Sequence, residues 1–102
     1  MKLDVLIEKI EEWGSDRGIL QNGTQLGQMT KVFEEVTEAL DAISLNDEEA
    51  LADAIGDSVV TLVMLAGVSK LDFTNCVAKA YNEIKDRKGY LRDDGVFVKE
   101  TK

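Results

Sequence analysis

Glu34, Glu35 and Glu38 form one tight acidic group, and Asp53 and Asp57 form a second a short way on. On a helix, Glu35 and Glu38 stand i, i+3, Glu34 and Glu38 stand i, i+4, and Asp53 and Asp57 repeat the i, i+4 spacing, so each group shares a face. Asp57 opens directly into an apolar run, Val59 to Val68. Carboxylates crowded beside an apolar wall raise each other's pKa values and resist sharing a site, and a divalent cation removes that conflict. Oxygen donors without His or a thiolate cluster suit a hard ion, Mg²⁺ or alternatively Mn²⁺. The pattern admits two readings, a solvated acidic face or a metal site on paired helices. The first suits Glu8, Glu11, Glu12, Glu48 and Glu49, and it suits Asp57 poorly.

The elements that position these acids are helical. Leu3, Leu6, Ile7 and Ile10, with Trp13 on the same face, predict a first helix that ends at Gly14 to Gly18. Ile19 to Gly27 reads as a loop. Met29, Val32, Phe33, Val36, Ala39, Leu40 and Ile43 predict a second helix over 28–43. Asp47 is placed to cap a third helix that runs to about Ala66, with Glu48 and Glu49 in its first turn. The short link between these two helices makes them antiparallel neighbours. Counting outward from it brings the two acidic groups to similar levels. Asp72 caps a fourth helix to about Arg87, closed by Gly89. The tail Val96-Phe97-Val98 reads as a strand-like arm or a lid. The expectation is a single all-α domain over 1–102 with four main helices. The apolar Val59–Val68 band needs cover on most sides, which predicts self-association.

The composition narrows the chemistry. The chain has 102 residues, no His, one Cys and no Pro, so His bases, His ligands, internal disulfides and thiolate zinc cages are excluded. Its net charge of −8 is uneven. Residues 1–57 hold 14 acids against 4 bases, and residues 58–102 hold 6 acids against 8 bases. The acidic front repels bare polyanions, which argues against nucleic acid as a partner. The N-terminal stretch lacks a signal-peptide core, and Val59–Val68 is shorter than the roughly 20 apolar residues of a membrane span. A cytoplasmic protein is expected.

Lys31-Val-Phe-Glu34-Glu35-Val-Thr-Glu38 resembles the Lys-x-x-Glu-Glu-x-x-Glu signature of the MazG-like, all-α nucleoside triphosphate pyrophosphohydrolases. Asp53-Ala-Ile-Gly-Asp57 before an apolar helix resembles that family's second acidic motif. Tyr81-Asn82-Glu-Ile-Lys85-Asp-Arg87-Lys88-Gly resembles its third element, and Gly95-Val-Phe-Val-Lys is similar to the ending of short phage-type members. The resemblance implies a four-helix MazG-like bundle completed by homo-oligomerisation. It further implies Mg²⁺-dependent hydrolysis of a (deoxy)nucleoside triphosphate between the α and β phosphates. Glu35, Glu38 and Asp57 match metal ligands, and Glu34 matches a residue that holds a second ion or orients water. The family's acid three residues before Asp57 is replaced by Ala54, and Asp53 is the nearby substitute.

The remaining assignments concern substrate. Asn82, Lys85 and Arg87 match phosphate and base contacts, with Lys31 beside the acids. Lys85 and Arg87 also suit a helix C-terminus, whose dipole favours cations. Trp13 and Tyr81 are aromatics able to stack on a base, as is Phe33, for which core packing is the commoner role. The expected assembly is a homodimer or homotetramer. Two alternatives stand beside this reading: a non-catalytic acidic helical module that binds a partner helix, and a same-fold hydrolase acting on another pyrophosphate such as phosphoribosyl-ATP.

Overall fold

The computed structural model describes residues 1–100. Five helices and a two-stranded ribbon follow in order: α1 (Leu3–Asp16), α2 (Ile19–Asn22), α3 (Gln25–Ser44), α4 (Glu48–Val68), α5 (Phe73–Ile84), β1 (Gly89–Leu91) and β2 (Phe97–Lys99). The all-α expectation holds, and several boundaries move, with α5 ending at Ile84 rather than near Arg87. The segment expected to be a loop contains the single turn α2, and α3 begins at Gln25 because the Thr24 side chain caps it through Gly27 N–H at 3.0 Å. Helices α1 and α4 run through Gly14 and Gly67. A Cβ at Gly14 would run into Met64, and one at Gly67 into Leu20, so these glycines permit close packing rather than ending helices. The tail is an antiparallel ribbon in the register Gly89↔Lys99, Tyr90↔Val98, Leu91↔Phe97.

The largest interface joins α3 and α4, an antiparallel pair. Asn46 turns the link at φ 53, and the Asp47 carboxylate accepts from Ala50 N–H at 3.0 Å to start α4. Val32 and Ala42 of α3 and Ala54 of α4 are buried. Helix α4 also meets α1, α2 and α5. Its Val63 and Met64 form the core with Ile7, flanked by Ile10, Ile19, Leu20, Val59 and Phe73. At 21 residues and a mean hydropathy of 1.7 over its best window, α4 is long and apolar enough to cross a membrane, a length that Val59–Val68 alone does not reach. Its contacts with every other helix are those of a core helix.

The chain's own helices largely cover the Val59–Val68 band: Thr61, Val63, Met64 and Ala66 are buried and only Leu62 is exposed. The uncovered apolar surface lies elsewhere. Phe33, Val36, Leu40 and Ile43, all more than half exposed, form a stripe along α3 at alternating spacings of three and four. The total accessible surface is 7997 Å². A compact chain of this mass exposes about 5,700 Å². The radius of gyration, 16.0 Å, likewise exceeds the roughly 13 Å of a compact 100-residue fold.

Ile7 is 6% exposed and anchors α1 on α4. Ile7→Ala should cost about 2–5 kcal/mol through lost burial and the residual cavity. Urea unfolding followed by circular dichroism measures it.

Candidate metal and nucleotide site

Glu35 stands nine residues before the end of α3, and Asp57 nine residues after the start of α4. The antiparallel link therefore sets them level. Glu38 lies one turn from Glu35 on the same face. Oxygens of Glu35, Glu38 and Asp57 come within 4.8 Å of one another. Glu38 and Asp57 are exposed and Glu35 is half-buried. One Glu35 oxygen, Oε2, is buried with no hydrogen-bond partner among the described residues. A buried carboxylate oxygen left unpaired is costly, and it is the atom a cation would satisfy. The donor set is all oxygen, so the group fits a hard divalent cation.

The same crowding acts on protons. The Glu38 carboxylate, to which a protonated Glu35 would donate, holds the Glu35 pKa above the ordinary 4.5; burial and the negative charges of Glu38, Asp57 and Glu34 push it the same way.

Asp53 and Glu34 lie outside the triad. Asp53 is exposed on α4, while its neighbour Ala54 is 2% exposed and carries the contact face. The acid in this stretch is thus turned from the packed face that the Ala54 methyl occupies. Glu34 is exposed and pairs with Lys31 Nζ at 3.1 Å, one turn back on α3.

Beside the triad opens a cleft of about 490 Å³, lined by Glu35 and Asp57, by Trp13, Ile19, Gln28 and Lys31, and by Val60, Thr61 and Met64. Trp13 is 41% exposed there, with the Arg17 guanidinium 4.9 Å from its ring centroid. Trp13 and Lys31 thus line the same cleft as Glu35 and Asp57. Tyr81, Asn82, Lys85 and Arg87 do not: they are exposed on α5 and the residues just after it, and none lines the cleft. Phe33 is exposed on α3 and is neither core nor cleft.

Sequence reasoning passed over Thr61 and Arg17. Thr61 stands one turn after Asp57, and its buried hydroxyl donates to Ser58 O at 2.8 Å. The i, i+4 offset from Asp57 was the available signal. Arg17 likewise stands i, i+4 from Trp13.

Because folded Glu35 holds its proton more tightly than the unfolded chain does, stability falls as pH rises from 4.5 through the raised pKa. Without metal, Glu35→Gln should remove that fall and melt above the unmodified chain at neutral pH. Thermal melts across pH in a chelator check it.

The family of MazG nucleotide pyrophosphohydrolase domains matches residues 24–91. The match takes in α3, α4, α5 and β1, and leaves out α1, which supplies Trp13. The chain is similar to a protein described as an uncharacterized 18.2 kDa protein from the rep-hol intergenic region of Haemophilus phage HP1 (strain HP1c1). The two are 34% identical over 70 residues, 69% of this chain and 43% of the phage protein. The chain thus spans less than half the length of that relative. No solved structure gives a significant match. With two-thirds of its length inside the family match, and with the acids of the two motifs meeting across α3 and α4, the chain belongs to the MazG nucleotide pyrophosphohydrolase family.

Proposed function

We propose that the chain hydrolyses a (deoxy)nucleoside triphosphate to the monophosphate and pyrophosphate, with Mg²⁺ or Mn²⁺ held by Glu35, Glu38 and Asp57. The observation that carries this reading is the triad within 4.8 Å, with a buried Glu35 oxygen that no donor among the described residues satisfies. A bound cation would neutralise phosphate charge and lower the pKa of a coordinated water. The water oxygen bonds to the α phosphorus, the bond from that phosphorus to the bridging oxygen breaks, and pyrophosphate leaves. Glu34 stands outside the triad, held by Lys31, and is the carboxylate left to orient the water and accept its proton. Asp53, one turn before Asp57, would reach the ion only through water, which Mg²⁺ tolerates. Trp13 offers an exposed ring face on which a base stacks, once Arg17 moves aside.

The assembly belongs to the same proposal. The Phe33–Ile43 stripe and the surplus of roughly 2,300 Å² over a compact monomer match what a protomer of an obligate homo-oligomer buries. The alternative of a non-catalytic helical module draws on one observation, the buried Ala54 where the family carries an acid.

A panel of NTPs and dNTPs with Mg²⁺, scored for pyrophosphate and monophosphate, tests the reading. Turnover is expected with at least one nucleotide, and Glu38→Gln should abolish it while leaving the helical spectrum intact. A folded oligomer inert toward the whole panel favours the binding module.

A further inference from the structure

Trp13 and Arg17 form one unit beside the carboxylate cleft. Arg17 closes α1, and its backbone N–H donates to Trp13 O at 3.2 Å. Gly18 then turns the chain at φ 77 into α2, whose Ile19 lines the same cleft as Trp13. The backbone on either side is pinned. Gln21 Nε2 donates to Ser15 Oγ at 2.9 Å, and Gly14 is buried against Met64 with no room for a Cβ. Trp13 is thus a fixed wall of the cleft, and the Arg17 side chain is the movable part above it.

Arg17 also carries a charge with no ionic partner. The ion pairs among the described residues are Lys31–Glu34 and Arg92–Asp94. The Arg17 guanidinium is in neither, is exposed, and lies over the Trp13 ring 4.9 Å from its centroid. A guanidinium is planar and stacks on aromatic faces, whereas an ammonium does not. A nucleobase has two such faces. A base seated on Trp13 takes the space that the guanidinium now fills, so the guanidinium lifts outward by one ring thickness. Rotation of its side-chain torsions supplies that movement while the backbone stays in place. The exchange replaces one exposed cation–π contact with two contacts, indole on base and base on guanidinium, and stacking of a base on an aromatic ring is the stronger kind.

We propose that Arg17 is a substrate-binding residue that closes over a nucleobase seated on Trp13, holding the base between indole and guanidinium. The contact recognises the flat ring and leaves the phosphates to the carboxylate end of the cleft and its cation. Both walls of this clamp lie in α1 and its cap, the segment that precedes the family match at residue 24. The identity of the ligand rests on the catalytic reading, and the clamp itself rests on the Trp13–Arg17 geometry.

Uncharged nucleosides isolate the base from the phosphates and from the metal. The full chain is titrated in a chelator with each nucleoside and deoxynucleoside, followed by calorimetry and by the fluorescence of Trp13, the chain's one Trp. Saturable quenching is expected with at least one of them. Arg17→Ala should weaken that binding about fivefold, the worth of a cation–π contact on a partly desolvated face. Arg17→Lys should not restore it, because the charge returns without the plane. The α,β-methylene analogue of the matching triphosphate, in Mg²⁺, should lose affinity by the same factor. Unchanged or tighter nucleoside binding in Arg17→Ala overturns the clamp, since Arg17 then only blocks the ring. A loss confined to the triphosphate and repaired by Arg17→Lys also overturns it, since Arg17 then serves the phosphates as a point charge. So does a chain that binds no nucleoside by either method. Arg17-dependent nucleoside binding in a chain that turns over no nucleotide overturns the catalytic reading alone.

Discussion

Three carboxylates face one another across the antiparallel α3–α4 pair, and among the described residues no donor pairs the buried Glu35 oxygen where they meet. Like charges in such proximity oppose folding, so packing elsewhere must hold the two helices in register. Ala42, Ala54 and Val32 do this by burying small or branched side chains between α3 and α4. Met64 and Val63, further along α4, tie the same helix to α1. The site is thus held by surroundings that gain from burial what the carboxylates lose by repulsion. Its unsatisfied oxygen is the feature that the proposed cation would answer.

The distribution of surface follows from this economy of a short chain. Helix α4 is committed to the core and meets all four other helices. What is left for α3 and α5 is α4 as the main neighbour, and apolar side chains on α3, α5 and the ribbon stay exposed. The charge asymmetry runs the same way, with the acids on the helices that build the cleft and the cations on the segment that stands away from it. The homo-oligomer proposed above would cover the apolar faces.

Much of this was legible in the sequence, because helical periodicity and a short link are local signals. Counting from the link placed Glu35 level with Asp57 before any coordinates were needed. The same count could not place Asp53, since the rotation of α4 about its axis is set by which residue packs, and Ala54 does. Gly14 and Gly67 read as stops because a glycine's local preference is to end a helix, whereas here Met64 and Leu20 lean on them from other elements. The ribbon had a local signal that the reading of the tail left unused: Asp94-Gly95 is a turn dipeptide, with Gly95 at φ 86. The positions of Tyr81, Asn82, Lys85 and Arg87 relative to the cleft depend on how α5 leaves the body, and no local pattern encodes that direction.

The central claim is that the triad across α3 and α4 holds a divalent cation. Calorimetric titration of Mn²⁺ or Mg²⁺ into the metal-free chain and into Asp57→Asn tests it without reference to turnover. The account predicts saturable binding to the unmodified chain, and at least tenfold weaker binding to Asp57→Asn, about 1.4 kcal/mol. Equal affinity in the two chains would contradict it.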